Sequence, residues 1–201
     1  EDSAIYLNEC RHMGLEVAVP DVNTAQMNYY PDIKSGNRSP RIVYGLSAIR
    51  NVGEGIVSLL ISERNSNGPF VDFYDFCERV DLQVLNRRAI EALIKAGAFD
   101  SLGHTRQGLL ASYEQIIEQT VSRRREKEMG VMTLFEVAPD DASQVFDDKI
   151  LIPEIEFERQ QRLSFEKEML GRYISDHPLR GDEGTLRTKC DATSQGVSSL
   201  D

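Results

Sequence analysis

The sequence predicts a mainly α protein: a compact bundle of short helices with two helix-turn-helix pairs in tandem, flanked by extended or partly disordered segments. Three observations predict it. Apolar residues recur at helical spacing in successive stretches between residues 44 and 125, glycines and capping residues punctuate those stretches, and the flanks are polar, acidic or rich in turn-forming residues.

Taken in order, Ala4, Ile5, Leu7, Cys10 and Met13 are spaced for a helix that Gly14 ends, and residues 15–19 read as a short strand stopped by Pro20. Residues 30–40 are turn-rich and read as a connector, with a boundary near residue 40. Five helices are expected over 45–51, 54–64, 72–80, 86–95 and 105 to about 125. Their buried faces include Ile56, Val57, Leu60 and Ile61, then Phe73, Phe76, Cys77 and Val80, then Ile90, Leu93 and Ile94, then Leu109, Leu110, Tyr113, Ile116 and Ile117. Asp81 and Asn86 suit the turns before the fourth helix, while Gly97 and Gly103 keep it from running on into the fifth. Beyond Met129 come a brief apolar burst at 131–135, an acidic linker over 138–149, an amphipathic helix over about 154–173, and a polar tail over 180–201 with the composition of a disordered end.

Composition narrows the function classes. No apolar run approaches the roughly 18 to 20 residues of a membrane span, so no membrane partner is expected. Cys10, Cys77 and Cys190 are odd in number and lack metal-ligand spacing, which favours reduced thiols and a cytoplasmic location. The start at Glu1 and Asp2, without a signal-peptide pattern, reads as a segment of a longer polypeptide. Net charge is −10, but residues 41–125 carry 11 Lys and Arg against 10 Asp and Glu, whereas the rest carries 12 against 23. The middle segment is the one that would not strongly repel a polyanion.

Within it, Arg50, Asn51, Val52, Gly53, Glu54, Gly55 and Ile56 join one helix to the next through glycines at alternate positions. Glycines let such a turn take positive φ and bring its N–H groups near a phosphate, and the adjoining helix N-terminus adds free donors. That chemistry grips a sugar-phosphate backbone without reading bases. The alternative is that Gly53 and Gly55 only separate two helices. A second, less regular hairpin holds Lys95, Gly97, Gly103, His104 and Arg106, with phosphate contact or packing as its possible roles. Arg87 and Arg88 sit in a first helical turn, where the helix dipole disfavours cations. They point either to an anionic partner or to pairing with Glu91 or Asp81. His12, His104 and His177 show no catalytic or metal geometry.

These residues resemble the alpha subunit of bacterial DNA polymerase III, the DnaE family, from Ile5 to about Leu179. The motifs are Tyr6 to Gly14, Pro20 to Asn23, Tyr44 to Gly55, Gly68-Pro69-Phe70, Phe73 with Phe76 and Cys77, Asn86 to Arg88, Glu91 to Asp100, Leu170 with Gly171 and Tyr173, and His177 to Leu179. The resemblance implies the end of a fingers domain over 1–40 and a tandem helix-hairpin-helix domain that binds duplex DNA over 41–125. It further implies a clamp-binding peptide and acidic linker over 126–149, then a connector over 150–201 that approaches an oligonucleotide-binding domain. Val131, Met132, Thr133, Leu134 and Phe135 fall where the family carries its sliding-clamp (beta subunit) peptide, with Leu134 and Phe135 as the apolar anchor pair. Val131 replaces the usual leading glutamine, and Leu134 and Phe135 could instead pack on neighbouring helices.

The palm aspartates and the metal-binding PHP domain have no counterpart here, so no cofactor is expected in this chain, and magnesium belongs to the catalytic parts of the parent polymerase. Other replisome subunits would be reached through those parts. Two readings compete: an error-prone paralogue acting in repair synthesis, and a purely protein-interacting helical module. A glycosylase, ligase or nuclease built on similar hairpins would need a catalytic Lys or Asp, and Lys95 has no evident companions.

Overall fold

A computed structural model describes residues 9–10, 12–33, 40–129 and 149–176. The structure is mainly α, built on one hydrophobic core with a small sheet at its side. Glu9, Cys10 and His12 are helical, and Gly14, at φ +73°, ends that turn. The sheet has the order β1-β3-β2. β1 (Glu16–Ala18) runs parallel to β3 (Arg41–Val43), with Val17 opposite Ile42, and β2 (Tyr30–Asp32) pairs with β3 antiparallel. Pro31 is tolerated because β2 is an edge strand, and an Arg41–Asp32 ion pair of 3.0 Å ties β3 to it. Strands from both sides of residue 40 thus share a sheet, and Val17, Val22 and Ala25 share one core with the helices.

The helices match their sequence signals closely where a cap is present. α1 (Glu54–Asn67) ends at Gly68, φ +84°. α2 (Phe73–Arg79) is capped by Asp72, which accepts from the Asp75 N–H at 2.7 Å. Asn86 caps α3 (Arg87–Lys95) by accepting from the Arg88 N–H at 2.9 Å, and Thr105 caps α4 (Arg106–Glu128) by accepting from the Gly108 N–H at 3.2 Å. Asp81 makes a local turn, accepting from the Gln83 N–H.

Two expected helices are shorter. The stretch over 45–51 forms only a 3-10 turn, Leu46–Ala48. Its Ser47 N–H and hydroxyl are drawn to the Met27 carbonyl, and Asn51 at φ +69° breaks any continuation. The last helix, α5, covers Arg159–Leu170. Residues 150–158 form neither helix nor strand, and their carbonyls serve groups elsewhere: Ile150 O accepts from the Tyr74 hydroxyl, Pro153 O from the Thr105 hydroxyl, and Ile155 O from the Gly108 N–H.

Phe70, Phe73, Phe76 and Phe99 form the centre of the core, with ring centroids 4.9 to 6.1 Å apart. Such contacts add about 0.5 to 1.5 kcal/mol per pair to area burial. Met169, Leu170 and Ile174 join this core from the C-terminal side. Cys10 and Cys77 are free thiols, and burial pushes the Cys77 thiol well above its ordinary pKa, leaving it unreactive. No helix among the described residues is long and apolar enough to cross a membrane. The candidate clamp peptide, Val131 to Phe135, together with His177 and the polar tail, lies outside the described residues.

Candidate nucleic-acid interface

The first hairpin presents a row of unused donors. A helix begins with amides that have no intrahelical acceptor. At the start of α1 neither a capping side chain nor any other described group accepts from the N–H groups of Gly53, Glu54, Gly55 and Ile56. Arg50, Asn51, Gly53, Glu54 and Gly55 are exposed, while Val52 is buried and Ile56 half-buried, so the turn is anchored by its apolar residues and shows its backbone outward.

The glycines do not act as the sequence suggests. Gly53 has φ −76°, Gly55 lies inside the helix, and the left-handed residue of the turn is Asn51 at φ +69°. Asparagine is among the non-glycine residues that tolerate this region. A Cβ added to Gly53 or Gly55 would meet nothing within 4 Å. Neither backbone strain nor internal packing therefore requires glycine at either position. What the missing side chains provide is outward access to the amide row. Glu54 can serve an anion only through its N–H; its carboxylate suits the helix dipole and opposes a phosphate.

The second hairpin is closed. Gly97 does take positive φ, +81°, but the space a Cβ would fill is occupied by the Arg106 guanidinium. Arg106 is 4% exposed; its Nη2 lies 2.7 Å from Asp100 Oδ2 and its Nη1 3.1 Å from Glu166 Oε1. Burial works against its charge, yet Asp100 and Glu166 more than offset that, and its pKa is raised. The amides at the α4 N-terminus are also taken: those of Arg106 and Gln107 donate to the Glu156 carboxylate at 3.3 and 3.4 Å, and that of Gly108 to Ile155 O at 3.2 Å. Gly108 is required here, since a Cβ would strike the Pro153 carbonyl. Gly103, at φ +79°, is a turn residue in open space.

Most of the basic residues expected at these turns have partners within the chain. Lys95 pairs with Glu91 at 2.8 Å and lies over the Phe165 ring. Arg87 pairs with Glu114 and Glu118 on α4, rather than with Glu91 or Asp81. His104 packs edge-on to Tyr74, and its Nε2 is buried away from solvent. Arg106 is internal. Arg64, which the sequence gives no reason to single out, is buried on α1 and donates to the carbonyls of Val22 and Ala25 at 3.0 and 2.7 Å; burial lowers its pKa. Among the described basic residues of 41–125, Arg50, Arg88 and Arg125 are exposed and make no ion pair with another described residue. Glu156 and Glu166 are equally invisible in the sequence, because their partners lie 50 and 60 residues away. No group of described His, Cys, Asp or Glu side chains could hold a metal ion.

A family model described as a helix-hairpin-helix motif matches residues 14–109, which span both hairpins. Relatives named DNA polymerase III subunit alpha match nearly the whole chain. The protein of Mycobacterium tuberculosis is 37% identical over 199 residues, covering 98% of this chain and 16% of the relative. That of Saccharopolyspora erythraea is 40% identical over 187 residues, covering 91% and 15%, and that of Pseudomonas aeruginosa 37% over 197 residues, covering 90% and 16%. The chain is homologous to one region of the DNA polymerase III alpha subunits. It spans about 16% of the length of these relatives. The likeness to the alpha subunits runs beyond the helix-hairpin-helix match, into the segment that carries Glu156 and Glu166.

Proposed function

We propose that this chain holds duplex DNA for a DNA-directed DNA polymerase, with the first hairpin as the contact. The observation that carries this reading is the row of amides from Gly53 to Ile56, unpaired among the described residues and left uncovered by two glycines that the fold itself does not need. Backbone N–H groups at a helix N-terminus bind phosphate oxygens irrespective of base sequence. Arg50, exposed beside the turn and without an ion pair among the described residues, adds a cation. The homology supports the polymerase context, in which nucleotide transfer with magnesium belongs to parts of the parent chain beyond this region. The work would take place in the cytoplasm. The error-prone paralogue is the alternative within the same family.

A titration of duplex DNA against salt tests the reading. The expected result is sequence-independent binding that weakens as salt rises, and that falls about tenfold or more when Gly53 and Gly55 are both replaced by Ala. Binding indifferent to salt, or to both substitutions, would falsify it. Failure of DNA to protect the Asn51 to Ile56 amides from hydrogen exchange would favour the protein-interacting alternative.

Attachment to the sliding clamp through Val131, Met132, Thr133, Leu134 and Phe135 is a second part of the proposal. It is supported by the apolar burst at 131–135, which ends on Leu134 and Phe135 and is set between the charged run of residues 123–128 and the acidic stretch of 138–149. Replacing Leu134 and Phe135 together by Ala is expected to abolish capture by the beta subunit while leaving the helical circular dichroism unchanged. Undiminished capture sinks this part alone.

A further inference from the structure

We infer that α5 is a positioning element for the first hairpin and that Glu166 sets its place; this rests on the DNA reading above. Gly171, at φ +76°, stops α5 and leaves its last carbonyl oxygens without intrahelical donors. Two of them are used on the first hairpin and its approach. Met169 O accepts from the Arg50 N–H at 2.9 Å, and Leu170 O accepts from the buried Tyr44 hydroxyl at 3.4 Å. Arg50 immediately precedes left-handed Asn51, so the bond from Met169 fixes the chain at the point where it turns toward the Gly53 to Ile56 amides.

About one helical turn earlier, Glu166 is 1% exposed and anchors α5 in the opposite sense. Its carboxylate receives Arg106 Nη1 at 3.1 Å, the Ser175 hydroxyl at 2.8 Å and the Ser175 N–H at 3.1 Å. Arg106 in turn fills the space over Gly97. A continuous set of contacts therefore runs from the closed hairpin through Arg106 and Glu166 to Met169 and the open hairpin. α5 cannot slide along its axis without breaking a buried ion pair, and a buried carboxylate that loses its partner is strongly disfavoured. Met169 and Leu170 also share the core with Leu46, Ile49 and Val52 of the first hairpin. The DNA-gripping unit thus extends past residue 109, where the helix-hairpin-helix match ends, and includes α5.

The 201-residue chain tests this with two substitutions, neither of which touches the amide row. Glu166→Gln keeps the shape and removes the charge; Tyr44→Phe removes one hydroxyl. Anisotropy with a labelled duplex, amide exchange at Arg50 and thermal melting are read together. The expected result for Glu166→Gln is about tenfold weaker duplex binding with an unchanged salt slope, because no phosphate contact is lost, and faster exchange at Arg50. Tyr44→Phe is expected to weaken binding about threefold in the same sense. A lower melting temperature with unaltered duplex affinity in both variants means that Glu166 only holds the fold, and overturns the inference. If Glu166→Gln does not fold, Tyr44→Phe decides alone: faster exchange at Arg50 with unchanged affinity overturns it. No duplex binding by the unaltered chain overturns the DNA reading and this inference with it. Loss in the Gly53 and Gly55 variant, with none in Glu166→Gln or Tyr44→Phe, overturns this inference only.

Discussion

The two hairpins carry the same sequence signal, a glycine turn between helices, and put it to opposite uses. In the first, Gly53 and Gly55 face open space and the α1 amides from Glu54 to Ile56 have no acceptor among the described residues. In the second, Arg106 covers Gly97, and Glu156 with Ile155 takes the α4 amides. The difference lies in what the rest of the chain brings to each turn. A glycine read in isolation says that a backbone comes close to something. Whether that something is a ligand or the protein's own side chain is decided by residues far along the sequence.

This contrast can be broken by substitution. The largest effect is expected at Gly97→Ala, which must displace the Arg106 guanidinium and also adopt a left-handed φ. Disturbing a buried ion pair costs about 3 to 5 kcal/mol and the backbone strain about 1 to 2 kcal/mol, so urea denaturation should show severe destabilisation. Stability close to that of the unaltered protein would show that the second hairpin is not closed in solution.

Gly55→Ala should act in the opposite direction. An exposed helical glycine replaced by alanine gains roughly 0.5 to 1 kcal/mol, so the protein should melt slightly higher while duplex affinity falls, by about 1 kcal/mol if the methyl group obstructs a phosphate. Affinity and stability moving together would remove the distinction between the hairpins. Arg50→Ala should leave stability unchanged and lower the salt slope of binding by about 1. Least of all is expected from Arg87→Ala, whose exposed pairs with Glu114 and Glu118 are worth about 0 to 1 kcal/mol. An Arg87 effect on the salt slope equal to that of Arg50 would restore it as a DNA contact.

Local chemistry made much of the fold legible. Asp72, Asn86 and Thr105 mark helix starts because a cap acts within three residues, and the apolar spacing of Ile90, Leu93 and Ile94 identifies a buried face directly. The start of α1 after the first turn was legible, but the helix expected over 45–51 is only a 3-10 turn and the left-handed residue is Asn51. What the sequence hid depends on long-range partners. β2 and β3 are three residues each and are specified by pairing rather than propensity. The irregular segment before α5 is held by Tyr74, Thr105 and Gly108, none of them near it in sequence. Arginines at element ends suggested a basic surface, but Arg64 and Arg106 are absorbed by carbonyls and carboxylates of the core.

Asn51 has a consequence for the energetics of association. A non-glycine residue at φ +69° carries a conformational penalty of about 1 kcal/mol or more, and the fold has already absorbed it in the free protein. On the proposed DNA reading, an incoming duplex would meet a turn with little ordering left to do, so complex formation should proceed near rigid-body speed and owe its lifetime to contacts kept rather than to a loop that must refold on departure.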